Sequence, residues 1–460
     1  MTHRTLGRPV LPVFLHLYDF RFLQISKKWV YTTCSVILAH QIRNLLYKSV
    51  IAITFRLPVQ CVWLKLNGSW PFVPSSRKDN SSMCSTLYTA WAWYVIASVG
   101  ITIGFQTAYL VTHLSDIIMT TENCCTTFMG ALNFVRLLHL RFNQRKFRQL
   151  IEQFERDIWI PENTHISVNA ECHKRMFTFT IMTGLLSCLI CMYCALPLVE
   201  IFFRTGVDAV EKPFPYKMLF PYDTYSSWMR YVFTYMFTSY AGICVVTTLF
   251  AEDSIFGFFI TYTCGQFRLL HERVDNVLTA AKERADKQHL QLQRLHNIVQ
   301  QHNKIIRFAK CLEDFFNPIL LVNLMISSLL ICMVGFQIIT GTNMFIGEYV
   351  KFIVYISSAI SQLYVLCENG DALIIHSTNT ARHLYGCDWE NPDISNFYSY
   401  TSMSHQFRND LRFMILCSHR PVRITAFKFS TLSLQSFTAI LSTSMSYFTL
   451  LRSLYYEDQL

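Results

Sequence analysis

The residues best placed to do chemistry lie in the closing stretch of the chain, STLSLQSFTAILSTSMSYFTLLRSLYYEDQL, residues 430–460. On a helix of 3.6 residues per turn, Ser442, Ser446, Thr449 and Ser453 share one face, with Gln435 on the same line two turns earlier. Leu434, Phe437, Leu441, Met445, Phe448, Leu451 and Tyr455 form an apolar face, and Leu450 and Leu454 stand one turn apart at the border of the polar one. Hydroxyls so spaced solvate a passing cation weakly, and a neighbouring ring of leucines closes a pore by dewetting. Small polar residues equally suit helix–helix contacts inside a membrane, and residue types alone leave both readings open. Arg452 lies close enough to the chain end for its stem to reach the membrane interface.

Bond-making chemistry is not signalled. The chain contains no G-x-S-x-G, H-E-x-x-H, P-loop or G-x-G-x-x-G pattern, so neither an enzyme nor a cofactor is expected. The acidic pairs Glu252–Asp253 and Glu313–Asp314 fall at the ends of apolar runs and are expected to be structural. His271, His289, His296 and His302 form no H-x3-H pair with a carboxylate and are expected on a solvated face. Of the 16 cysteines, Cys188, Cys191 and Cys194 recur inside one apolar run and read as small hydrophobes. Only Cys124 and Cys125, near an expected outer loop, invite a test for disulfide bonding.

The elements that must position these residues are membrane spans. Hydrophobic residues make up 52% of the 460, charged ones only 15%, against about 25% in soluble domains. Roughly 20 apolar helical residues cross a bilayer. Five charge-free runs reach that length: 87–111, 176–199, 231–251, 315–347 and 429–451. Two weaker ones complete the set: 120–140, which holds Glu122 and Arg136, and 352–367, extended by Tyr349, Val350 and Lys351. Residues 29–64 are apolar too, but Arg43, Lys48 and Arg56 interrupt them, and they read as interfacial. No cleavable signal sequence is evident at the start.

Lys and Arg then sort the segments between spans. Alternate segments carry 33 against 5, which places the N-terminus in the cytoplasm and the C-terminus outside. Sequons at Asn67 and Asn80 fall on the side assigned to the cytoplasm, where no glycan is added. The net charge of +10 is dispersed, and no nucleic-acid-binding module is visible. Apolar residues recur at helical spacing through 270–306, so the fourth and fifth spans are expected to continue into the cytoplasm. Pro421 divides the last element into a cytoplasmic piece, 395–417, and a membrane piece from 427.

The expected fold is therefore an all-α membrane protein of seven transmembrane helices with cytoplasmic helical extensions of the fourth to seventh. The expected partition is an N-terminal extension (1–62), a cytoplasmic N-terminal segment (63–86) and four spans (87–263). A cytoplasmic helical region (264–314), two further spans (315–367) and a second cytoplasmic region (368–426) follow. The last helix (427–455) and an outer tail (456–460) complete the chain.

Two stretches carry a family likeness. LYVLCENGDALIIHSTNTARHLYGCDW presents Tyr364, Cys367, Gly370, Leu373, Tyr385 and Trp389 in a Y-x-x-C-x-x-G-x-x-L … Y-x-x-x-W pattern. RPVRITAFKFSTLSLQSFTAILSTSMSYFTLLRSL, residues 420–454, matches the family's closing pattern. Both resemble insect odorant receptors. Upstream, KMLFPYDTYSSWMRY is similar to the family's loop between the third and fourth spans, and NGSWPFVP to the Trp-Pro segment near a receptor's start. Residues 1 to about 60 then exceed the family pattern. In related gustatory receptors the last helix ends T-Y-x-x-x-L-x-Q-F. Here Ser446–Leu454 reads SYFTLLRSL, which favours the odorant branch.

The resemblance implies an odorant-gated, non-selective cation channel in the plasma membrane of a sensory dendrite. It would assemble with a shared co-receptor subunit as a heterotetramer embedded in lipid. By the same resemblance Leu450 and Leu454 occupy gate positions, and a small volatile organic ligand lies among the second, third, fourth and sixth spans. Aromatic residues in the outer halves are then the candidate contacts: Tyr193, Tyr231, Tyr235, Tyr240, Tyr349, Phe352 and Tyr355. A gustatory-type channel of the same superfamily is the alternative. A transporter or a G-protein-coupled receptor fits less well, for want of repeats and because of the inverted orientation.

Overall fold

The computed structural model describes residues 61–71, 81–161, 164–203, 213–277, 287–340, 346–387 and 405–457, all within one unit, Leu57–Leu460. The expected extension, 1–62, and the sequon at Asn80 fall almost wholly outside them. A short helix α1 (Cys61–Leu66) precedes α2 (Ser81–Thr112), α3 (Ile117–Phe142), α4 (Gln144–Asp157) and α5 (Ile166–Phe203). Then come α6 (Trp228–Asp275), α7 (Lys287–Thr340), α8 (Ile346–Tyr385) and α9 (His405–Ser418). A two-residue hairpin, β1 (Thr425–Ala426) and β2 (Ser430–Thr431), leads into α10 (Leu434–Glu457). Among the described residues, this hairpin holds the only strands.

Among the described residues, α2, α5, α6, α7 and α8 are long and apolar enough to cross a membrane. The charged α3 and the hydroxyl-rich α10 occupy the two remaining expected spans. Two boundaries differ from expectation. The run 315–347 is shared by two helices, α7 described as far as Thr340 and α8 from Ile346. The last helix starts at Leu434 rather than at 427, because Phe427 and Lys428 adopt left-handed φ angles of 53° and 60°. These form a turn in which the Phe429 N–H donates to the Ala426 carbonyl at 3.0 Å.

Helix α6 is the axis of the molecule. Residues 246–267 are buried without interruption, Glu252 and Asp253 included, so neighbours cover this helix on every side. At 1.5 Å per residue its 48 residues run about 72 Å, and the 54 of α7 about 81 Å. Both far exceed a 30 Å hydrocarbon core, so each continues well beyond it. Against α6 and α7 packs α4, an amphipathic helix that the span pattern did not anticipate. Phe147, Leu150, Ile151 and Phe154 fall at i, i+3, i+4 and i+7 and are all buried. The Phe154 ring centroid is 4.8 Å from that of Phe259 and 5.7 Å from that of Phe308.

Three expectations about polar residues are corrected by packing. His271 and His302 are not solvated; they are 6% and 5% exposed. The His271 ring stacks on His383 at 4.3 Å, and its Nε2 is 3.0 Å from Thr380 Oγ1. Glu252 and Asp253 are likewise buried inside the bundle, where α6 continues past the expected end of the span. Cys124 and Cys125 are free buried thiols within α3. Asn67 is 6% exposed and its amide donates to Thr247 and Thr248 on α6 at 3.0 and 2.9 Å. That side chain fastens α1 to the axial helix and is inaccessible to glycosylation.

The residues of the Y-x-x-C-x-x-G-x-x-L pattern form the seat of the last helix. Cys367 and Leu373 are fully buried, and Tyr364 meets Phe437 of α10 edge-on at 5.6 Å. A Cβ on Gly370 would lie 2.5 Å from both the Cβ and the carbonyl oxygen of Leu432, so only glycine lets the strand leaving the hairpin touch α8. On the other side, Glu313 of α7 accepts from the Thr425 N–H at 3.2 Å and from its hydroxyl, and Asn317 accepts from the Phe427 N–H. The hairpin is clamped between α7 and α8, and the start of α10 with it.

Candidate functional site

Between α2, α3, α5, α6 and α8 lies a narrow cavity of about 60 Å³, within about 600 Å³ of empty space once the open solvent at its mouth is counted. Helix α2 contributes Val99, Thr102, Ile103 and Gln106; α3 contributes Thr126, Met129 and Gly130; α5 contributes Leu186, Leu189, Ile190 and Tyr193. The axial helix supplies Ala241, Gly242, Val245, Val246 and Leu249, α8 supplies Tyr355, and Tyr216 closes in from the segment before α6. No charged side chain lines it. A concave, mostly apolar wall with few polar groups is what a small neutral molecule requires.

Of the seven aromatic residues expected at a ligand, Tyr193 and Tyr355 line this cavity. Tyr193 stacks on Tyr216 at 5.3 Å and meets Tyr355 edge-on at 6.4 Å, while the Tyr355 hydroxyl donates to the Cys125 carbonyl at 2.9 Å. Phe352, 1% exposed, packs in the same apolar cluster just outside the lining. Tyr231 and Tyr235 stand one layer away, ringing Phe214 at 4.9 and 6.4 Å. Their hydroxyls donate to the carbonyls of Pro213 and Cys194 at 2.8 and 2.5 Å, so these tyrosines fix the segment that carries Tyr216. Tyr240 packs with Val95 and Val99 on the side towards α2, and Tyr349 is exposed.

Tyr216 was not anticipated, nor was Gln106. Tyr216 reaches the cavity because Gly242 has no side chain; a Cβ there would lie 2.2 Å from the tyrosine oxygen. The signal for Gln106 was present: Ser98, Thr102 and Gln106 recur every fourth residue through an otherwise apolar span. At one end of the cavity Lys351, 8% exposed, lies over the rings of Phe352 and Tyr193 at 4.8 and 5.1 Å. Its ammonium is 3.9 Å from Glu122, which also pairs with Lys217 at 2.6 Å. This ion cluster ties α3, α8 and the Tyr216 segment together over the aromatic wall.

Helix α10 presents two unlike faces. Phe448 and Ser444 are buried against α7, Phe336 meets Tyr455 edge-on at 5.6 Å, and Ser444 donates to Ser328 at 3.2 Å. Leu434 and Met445, expected on the packed face, lie at its border and are 36% and 63% exposed. The other expected positions, Gln435, Ser442, Ser446, Thr449, Leu450, Ser453 and Leu454, are all exposed, the two leucines at 59% and 49%. The Ser446 hydroxyl donates to the Ser442 carbonyl at 3.1 Å and that of Thr449 to the Ser446 carbonyl at 2.8 Å. With their protons committed to the helix, these hydroxyls turn oxygen lone pairs outward, the polarity that a cation needs. Arg452 is exposed and lies over the Tyr456 ring at 5.6 Å.

A buried clamp lies between the cavity and α10. Arg136 Nη1 is 2.9 Å from Asp253 Oδ1 and 3.6 Å from Glu252 Oε2, and donates to the carbonyl of the cavity residue Leu249 at 3.4 Å. Gln362 of α8 donates to Asp253 Oδ2 at 2.6 Å, two residues before the Tyr364 that meets α10.

Comparison with known proteins agrees with this geometry. A family described as 7tm Odorant receptor matches residues 116–445. Odorant receptor 13a of Drosophila melanogaster is 70% identical over 403 residues, covering 87% of this chain and 96% of that protein. Putative odorant receptor 92a of the same species is 23% identical over 362 residues, 76% and 84% of the two chains. The solved structure of the insect olfactory receptor OR5 from Machilis hrabei in complex with eugenol has a TM-score of 0.68 at 18% identity. It covers 86% of this chain and 97% of that one. These relatives are membrane receptors, not enzymes, and the chain belongs to the seven-transmembrane odorant receptor family.

Proposed function

We propose that this chain is the odorant-recognising subunit of a ligand-gated, non-selective cation channel that it forms in the plasma membrane with a shared co-receptor, as a heterotetramer. The observation that carries this reading is α10: one face packs on its own subunit, while the described residues leave the hydroxyl face and Leu450 and Leu454 uncovered. A helix so divided suits a path shared between subunits, hydroxyls replacing part of an ion's water and leucines forming the constriction. A small volatile ligand occupies the cavity at Tyr193 and Tyr355; the similarly folded receptor from Machilis hrabei is a complex with one such molecule, eugenol. Phe352, Tyr231, Tyr235, Tyr240 and Tyr349 support it from outside. The 33-to-5 distribution of basic residues favours an N-terminus in the cytoplasm and a C-terminus outside.

Expression of the chain with and without an odorant co-receptor, recording cation current against an odorant panel, tests the proposal. Odorant-evoked current is expected only with both subunits, and silence across the panel with both at the cell surface counts against it. Leu450→Ala should raise the current that flows without odorant; a variant that closes as tightly as the parent removes Leu450 from the gate.

A further inference from the structure

Three polar side chains on the cavity wall, Gln106, Tyr193 and Tyr216, make no hydrogen bond to a described residue, and of these only Gln106 carries an amide. Three others are committed: Thr102 Oγ1 donates to the Ser98 carbonyl at 2.9 Å, Thr126 Oγ1 to the Asn123 carbonyl at 3.1 Å, and the Tyr355 hydroxyl to the Cys125 carbonyl at 2.9 Å. Gln106 is 4% exposed, lines the cavity, and its side-chain amide makes no hydrogen bond to any described residue. Its backbone, by contrast, is held fast. The Gln106 carbonyl accepts from Asn123 Nδ2 at 2.9 Å and that of Phe105 from the Leu219 N–H at 3.1 Å, which fixes this turn of α2 against its neighbours.

Space lies beside the amide. Across from it α3 carries Gly130, where a Cβ would stand 3.6 Å from Gln106 Oε1 and 3.1 Å from Ile103. A buried amide without a partner is destabilising, and native proteins satisfy nearly all such groups. An uncharged amide in a wall free of charged residues offers one strong donor and one strong acceptor, the complement of a single hydroxyl or carbonyl.

We propose that Gln106 is the polar anchor of the ligand cavity, hydrogen-bonding the one oxygen of an otherwise apolar, uncharged ligand and setting the site's preference for alcohols and ketones over hydrocarbons. This rests on the cavity being the odorant site. The aromatic wall of Tyr193, Tyr216 and Tyr355 takes the ligand's apolar body, and Gln106, on α2 beside Gly130, takes its oxygen.

The test uses three probes of nearly one shape: 1-phenylethanol, acetophenone and ethylbenzene. Binding is read as stabilisation of the full-length receptor, co-expressed and purified with its co-receptor, against heating, which requires no conduction; potency is read in parallel from evoked current. The wild type should bind the alcohol and the ketone more tightly than the hydrocarbon. Gln106→Met should weaken both oxygenated probes about tenfold and leave ethylbenzene unchanged. Should that variant fail to assemble, Gln106→Asn, which withdraws the amide by one carbon, is expected to lose the same preference. Equal loss for all three probes, no loss for any, or no binding of either oxygenated probe to the wild type overturns the assignment. Preference for alcohol over ketone identifies the amide oxygen as the working partner, and equality identifies the amide N–H. Binding without current contradicts the channel reading and leaves this one standing.

Discussion

Arg136 is 1% exposed, and its guanidinium faces Glu252 and Asp253, themselves 1% and 7% exposed. Among side chains of the described residues it is the largest that is fully buried, and no lipid-facing helix could hold it unpaired. Removing one partner of such a group strands the other's charge, at about 3–5 kcal/mol. Arg136→Met should therefore lower the melting temperature of the purified receptor sharply, whereas Arg156→Met, whose side chain is 74% exposed beside Asp157, should change stability by less than about 0.5 kcal/mol. A variant at 136 that melts with the wild type would show that the carboxylates do not depend on it. None of this pairing was legible in the sequence, where Arg136 only weakened an apolar run and the two acids marked a span's end. Periodicity reports which face of a helix is apolar; it carries nothing about a partner 117 residues away. Asn67 is the same case, a sequon by its local pattern and a buried bridge to α6 by its partners.

At the scale of elements, the extensions of α6, α7 and α8 were legible, because apolar residues continue at helical spacing beyond span length. Helix α4 was not anticipated, although its four buried residues stand at i, i+3, i+4 and i+7 in a segment otherwise rich in charge. The burial of the histidines was not, since helical spacing is indifferent to what covers a polar residue. Burial holds His271 down to about 3, with the neighbouring His383, His376 and His302 adding to the effect. Burial likewise holds His302 and His376 to about 4, the latter also beside Arg175 and Arg268. In the unfolded chain the same rings titrate near 6.5. Between pH 6.5 and 4 the unfolded state binds more protons than the folded one, so stability is full above 6.5 and declines as pH falls. The melting temperature should therefore drop from pH 7.5 to pH 5, and His302→Gln, at the edge of the Phe267 ring, should shallow the decline. A melting temperature that holds or rises on acidification would mean that these extensions open to water more readily than their packing indicates.

The whole molecule joins a cavity enclosed by its own helices to a last helix it leaves half uncovered. The periodic stripe of Ser442, Ser446, Thr449 and Ser453 was legible as a stripe, but whether it faced a neighbour helix or an open path was not. Packing within the chain narrows this: Ser444, off the stripe, makes the interhelical contact with Ser328, while the described residues leave the stripe itself uncovered. Leu434 and Met445 show the cost of projecting an ideal helix, since both lie at the rim where a small rotation moves a side chain from packed to exposed. If the stripe lines an ion path, it is wet from outside only when the path is open. Ser446→Cys and Ser453→Cys, expressed with the co-receptor, should be modified by a charged thiol reagent applied outside, with loss of current that is faster in the presence of odorant. Phe448→Cys, 8% exposed against α7, should resist. Because Cys188, Cys191 and Cys417 are exposed in the parent chain, the reagent's effect on the unsubstituted channel sets the baseline. Modification at 448 as fast as at 446, or at 446 without dependence on odorant, would turn α10 about its axis and remove the stripe from the path.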